Sequence, residues 1–211
     1  MRIPSRAFMR GIVVKTRARA CPALDRKAGS YNGPMRISWI LALVAMQAIL
    51  TACSPDQNWR QVTLNGTDLK AQLPCKPDRT TREVPLGGVP VQLSVVGCES
   101  GDAMLAVMTA ALAPGADAQA VLQGWQQATL ANLQTAKPDQ AEAWLRPGLL
   151  PLGAAQRIVA QGRKADGQPV TAHAVWGIYT EGDHLRVIHA VVYAPKAQPQ
   201  LAQALFDGVQ P

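Results

Sequence analysis

The chain has 211 residues, 21 of them Lys or Arg and 14 Asp or Glu, for a formal charge of +7. The excess is confined to one end: nine of the 21 basic residues and one of the 14 acids fall in residues 1–52, which leaves twelve basic and thirteen acidic side chains in the 159 residues from 53 onward. Phosphate backbones are bound by clustered Lys and Arg. No such cluster occurs past residue 53, so we expect no nucleic-acid partner there, and a segment of that length is ample for one domain with its own core.

Residues 1–34 are rich in Arg, poor in acids and end in Gly29-Ser30-Tyr31-Asn32-Gly33-Pro34. We read them as a mis-called upstream extension without a fold of its own, and expect Met35 to be the real start. The alternative is a long basic lead to the apolar run after Arg36. That run, Ile37–Leu50, has 14 residues and is interrupted only by Ser38 and Gln47. A membrane-spanning helix needs about 20 apolar residues, so the run is short for an anchor. It suits the core of a signal peptide, with Arg36 before it and small residues after it. It closes on Leu50-Thr51-Ala52-Cys53, which resembles the lipobox of bacterial lipoproteins.

That resemblance implies a signal peptide over residues 35–52, a diacylglycerol on the Cys53 thiol, cleavage before Cys53 and acylation of the new amine. Each buried CH₂ of such an anchor contributes about 0.8 kcal/mol, so two or three chains hold firmly. Ser54 after the cysteine is similar to the outer-membrane pattern of enteric bacteria, and implies a lipid-anchored domain facing the periplasm. The competing reading is a buried hydrophobic helix with an incidental cysteine. Residues 53–58 would be a tether and residues 59–211 a single domain.

Along that domain, Trp59–Leu64 has the pattern of a strand, with Val62 and Leu64 on one face. Asn65-Gly66 signals a two-residue hairpin turn, Leu69–Leu73 returns, and Pro74 ends the pairing. Thr80–Leu86, a tight turn at Gly87-Gly88, the alternation of Val91, Leu93 and Val95, and Ala103–Leu112 predict a three-stranded meander. Asp117 is placed to cap a helix that carries Val121, Leu122, Trp125, Thr129 and Leu133 at steps of three and four. Residues 139–155 are irregular, with a possible helical turn at Gln140–Leu145. Gln156–Arg163, Val170–Tyr179 and Leu185–Tyr193 form a second β section, turning at Asp166-Gly167 and Glu181-Gly182-Asp183. Leu201, Leu205 and Val209 mark a closing helix over Gln198–Val209.

The elements predict an α+β domain: antiparallel sheet in the order β-meander, helix, β-meander, helix, with the helices packed on the sheet. Two halves of like type also make a two-sheet sandwich plausible. The stretch Leu69–Pro77, LKAQLPCKP, is similar to the strand-then-FPxxP opening of PsbP/Mog1-like domains, whose element order is the same. That resemblance implies no catalysis.

Of the four cysteines, Cys21 precedes the signal and Cys53 is the lipid site. Cys75 and Cys98 remain, an even count in an exported domain, and we expect a disulfide between them rather than two buried thiols. Neither has a His or second Cys at ligand spacing, so no metal is expected.

The three histidines lie late in the chain. A turn centred on Glu181-Gly182 would set His173 against Ala190 and His189 against Ala174, on opposite faces of the sheet, where they could not share a metal or a proton. His184 falls at the turn. Ser94, Ser100 and Asp183 are available to a Ser/His/Asp arrangement, but neither serine lies in a Gly-x-Ser-x-Gly turn, and no phosphate loop, HExxH or dinucleotide fingerprint occurs. Trp125 and Trp176 sit on apolar stripes and read as core. Trp59 and Trp144 lie in less regular segments and are the candidates for lining a ligand groove, in a cleft between the sheet and residues 136–155. The function expected is a non-catalytic binding or structural domain at the cell envelope, without a cofactor, engaging a protein partner or a small ligand. The alternative is an envelope hydrolase of unfamiliar type.

Overall fold

The computed structural model describes residues 58–211; the readings at residues 1–34, the signal peptide, Cys21 and Cys53 fall outside them. The described residues form an α+β fold of two antiparallel sheets and two helices. A small sheet pairs β1 (Arg60–Thr63) with β2 (Lys70–Leu73). A seven-stranded sheet contains β3 (Asp78–Leu86), β4 (Val89–Ser100), β5 (Ala103–Ala111), β6 (Gln140–Ala143), β7 (Gln156–Arg163), β8 (Pro169–Glu181) and β9 (His184–Ala194), in the order β3-β4-β5-β9-β8-β7-β6. The helices are α1 (Ala118–Asn132) and α2 (Pro199–Asp207).

The two β sections do not stack as a sandwich. They are joined edge to edge, with β5 against β9 from Met104↔Tyr193 to Ala111↔Arg186. The reason is visible in those strands. β5 and β9 are buried over most of their length, at both odd and even positions, so each needs a neighbour at both edges and a layer over both faces. The helix α1 covers one face, where Val121, Leu122, Trp125 and Thr129 are buried. The small sheet and α2 cover the other, where Val62, Leu64, Leu69, Ala71 and Leu73 join Leu201, Ala202, Leu205 and Phe206 in one core with Val175, Ile188, Ala190 and Val192.

Local chemistry explains the helix boundaries. Asp117 caps α1, its Oδ1 accepting from the Ala120 N–H at 3.1 Å. At the other end the Leu133 carbonyl accepts from the Arg163 N–H of β7 at 2.8 Å. Gly162 allows that approach, because a Cβ there would run into the Leu133 carbonyl oxygen.

Three local expectations are corrected. Asn65-Gly66 is not a two-residue hairpin: Leu64 pairs with Leu69 through Leu64 N–H to Leu69 O at 3.0 Å, across a four-residue loop. Thr67 holds that loop, its Oγ1 donating to Leu64 O and accepting from Leu69 N–H. A turn at 65–66 would have set Leu64 against Thr67; the longer loop sets two leucines together and buries both. Gln140–Ala143 is an edge strand, not a helical turn. Its helix-favouring side chains are all exposed, and pairing with β7 decides its state, with Asp139 Oδ2 accepting from Gln161 N–H at 2.7 Å. In the β8–β9 hairpin, Glu181 pairs with His184, so the turn is Gly182-Asp183 and the register lies two residues from the expected one. His173 therefore opposes Val192, and His189 opposes Trp176.

The Cys75–Cys98 disulfide is present, with Cα atoms 5.9 Å apart. It ties the chain leaving β2 to the body of β4, and so fastens the small sheet to the large one.

Candidate functional site

On the face covered by α2, the register of the three last strands builds a concave corner. Gln140 of β6 pairs with Val159 of β7, and Val159 with His173 of β8. One step along, Glu142 pairs with Arg157, and Arg157 with Val175. Residues two apart on a strand share a face, so Gln140, Glu142, Arg157, Val159 and His173 all point the same way. Ala197 and Pro199, from the β9–α2 connection and the start of α2, close the other side of a cleft of about 380 Å³, within the size range of small-ligand sites.

His173 is only 4% exposed. Its Nε2 accepts the Gln198 N–H at 3.2 Å. The neutral ring therefore carries its proton on Nδ1, and Nδ1 has no hydrogen-bond partner. Burial, and after it the Arg157 guanidinium, hold the imidazole below its usual value, so the ring stays neutral. Leaving a buried N–H unpaired costs roughly 1–3 kcal/mol.

Arg157 is positioned by α2. It donates through Nη1 to Gln203 Oε1 at 2.6 Å, and its Cζ lies 5.4 Å from the Phe206 ring centroid. Glu142 reaches its Nε at 3.5 Å, loose beside the 2.7–2.9 Å typical of a charge-assisted hydrogen bond. The Glu142 side chain is 67% exposed, so this pair contributes little. Gln198 caps α2 without a side-chain hydrogen bond, and a proline stands in the first turn.

The other histidines are elsewhere. His189 lies on the opposite face, fully buried, stacked on Trp176 at 4.5 Å and met edge-on by Trp125 at 5.1 Å. Its Nδ1–H donates to Val175 O at 3.0 Å. His184 is exposed at the hairpin end. Ser94 Oγ donates to Asn65 O at 3.1 Å, Ser100 ends β4, and Asp183 is exposed in the Gly182-Asp183 turn. Among the described residues, no hydrogen bond joins a histidine to either serine or to Asp183, and no group of three or more His, Cys, Asp or Glu is placed to hold a metal ion. No helix among them is long and apolar enough to cross a membrane.

Trp144 is buried in the core, its ring lying over Gly177, and Trp59 is half-buried against the same core. Neither lines the cleft, although residues 140–142, within the segment expected to border one, do. Arg157, Glu142 and His173 were not singled out as a group from the sequence. The signal was legible only in part: Pro199 in the first turn of a helix is a start mark, and Glu142 opposite Arg157 is a cross-strand charge pair, but only once Gln140–Ala143 is known to be a strand. Compared with known proteins, the chain matches no family model, no curated protein and no solved structure.

Proposed function

We propose that this chain is an exported bacterial lipoprotein, anchored through Cys53, whose folded part is a non-catalytic binding domain held at the outer membrane and facing the periplasm. The observation that carries the reading is the Cys75–Cys98 bridge in a chain whose Met35–Cys53 stretch ends in Leu50-Thr51-Ala52-Cys53. Disulfides persist in oxidising compartments such as the periplasm, and a signal of this form delivers a chain there. Within the same reading, β3–β5 with α1 and β7–β9 with α2 are taken as two successive meander–helix units, an order that supports the similarity of Leu69–Pro77 to the opening of PsbP/Mog1-like domains.

Binding rather than catalysis is supported by the dispersion of the reactive side chains. His173 and His189 lie on opposite faces, and the serines are engaged or placed elsewhere. The anchor is tested by replacing Cys53 with Ala in a bacterial host grown with labelled palmitate. The wild-type chain takes up label and shortens; the variant stays at precursor length and unlabelled. Equal labelling of both would refute the anchor.

A further inference from the structure

We infer that the cleft between β6, β7, β8 and the start of α2 is a binding site for a carboxylate carried on a short apolar body, held by the His173 Nδ1–H and the Arg157 guanidinium. This deepens the binding-domain reading and rests on it. The strongest sign is the orphaned donor. His173 is buried, its Nε2 is committed to the Gln198 N–H, and its Nδ1–H is left unpaired in a residue that lines an open cleft. Nδ1 itself is buried, so the ring tilts toward the cleft for an entering acceptor to remove that penalty.

The second sign is the state of Arg157. Its orientation is set from behind by Gln203 and Phe206, so little side-chain entropy remains to be lost on binding. The carboxylate it now faces, Glu142, is mostly exposed and approaches only to 3.5 Å. Glu142 thus occupies the position loosely, as a carboxylate that a better-placed one can displace. The third sign is the start of α2, which lacks a side-chain cap and opens at Pro199 on the cleft wall; the positive end of the helix favours an anion there. Val159, Ala197 and Pro199 supply the apolar wall for the ligand body.

The same headgroup occurs on a free small acid and on a peptide C-terminus, and the test separates them. The full chain, in detergent, is labelled at its three histidines and titrated with butyrate, with N-acetyl-alanyl-alanine and with the amide of that dipeptide. We expect the His173 ring resonances to shift saturably with one or both carboxylates, those of His184 and His189 to stay in place, and the amide to bind at least about tenfold more weakly, a difference of about 1.4 kcal/mol. Response to butyrate alone assigns a free acid; response to the dipeptide alone assigns a chain terminus.

Glu142→Gln, on an exposed strand, should leave the fold intact and tighten binding several-fold by removing the internal competitor. His173→Phe should abolish it. Absence of saturable shifts with both carboxylates up to about 50 mM, weaker than any millimolar affinity, overturns the proposal. So does equal binding of acid and amide, or an unchanged affinity in Glu142→Gln. Palmitate labelling at Cys53 is read separately, so the anchor and the carboxylate site can fail independently.

Discussion

Acidification should destabilise the fold through His189, and the geometry allows the effect to be sized. The ring is fully buried between Trp176 and Trp125, with one hydrogen bond, Nδ1–H to Val175 O. Its Nε2 has no partner. Protonation would bury a charge and create a second N–H with no acceptor. Burial lowers its pKa from 6.5 to about 4, with the Val175 hydrogen bond opposing only in part. The unfolded chain binds a proton near 6.5, while the folded one refuses it down to about 4. Between those values unfolding takes up a proton, so stability is complete above 6.5 and falls as the pH drops toward 4. The difference of roughly 2.5 pH units, at 1.36 kcal/mol each, amounts to about 3 kcal/mol.

His173 shifts in the same direction, so a direct comparison is needed. Urea unfolding of a form beginning at Ser54, followed by Trp fluorescence, is measured at several pH values from about 7 to about 4. The same is done for His189→Phe, which keeps an aromatic ring against Trp176 but cannot titrate. The variant loses a hydrogen bond and starts lower. Its stability should nevertheless fall with pH less steeply, by about 3 kcal/mol over the window. Equal slopes for the two proteins would refute the assignment.

Removing the Cys75–Cys98 bridge by a double change to Ala opens a loop with a sequence separation of 23; the chain-entropy relation gives a loss of roughly 3 kcal/mol, and an unchanged urea midpoint would contradict it. Gly162→Ala should cost about 1–3 kcal/mol, because its Cβ would meet the Leu133 carbonyl oxygen and lie 2.8 Å from the Leu133 Cβ. Gly124→Ala, exposed within α1 with nothing within 4 Å, should instead stabilise by about 0.5–1 kcal/mol. Similar midpoint shifts for the two glycine variants would show that the close approach of α1 to β7 is not real.

Residues with strong local signals were the readable ones. Asp117, with Val121, Leu122, Trp125 and Thr129 behind it, specifies α1 by cap and period, and the structure buries those four. The alternation of Val91, Leu93 and Val95 marks β4, although that strand runs further in both directions, to Val89 and Ser100. Two of the failures were decided at a distance. Gln140–Ala143 has helix-favouring residues with no buried face, and only the free edge of β7 makes it a strand. The joining of β5 to β9 is likewise not a local property; it shows only in how apolar both faces of those strands are. The cleft inherits both blind spots, because Glu142 and Gln140 come from the unforeseen strand and His173 is positioned by the Gln198 N–H of a later element.

The two buried histidines show why parity survived where register did not. The β8–β9 turn lies two residues from the expected pairing, yet a shift of two leaves every side chain on its original face. His173 and His189 were expected on opposite faces, and they are. The faces then divide their chemistry. His189 is sealed under α1 between two indoles, with one nitrogen bonded to backbone, and its cost appears as acid sensitivity. His173 lies under the start of α2, beside an arginine and in the wall of an open cleft, with its buried Nδ1 unpaired. A one-residue slip of β9 against β8, caused by a bulge in the turn, would take His189 from between Trp176 and Trp125 and bring it onto the face of His173. The pairing of β8 with β9 therefore protects the cleft as well as the core.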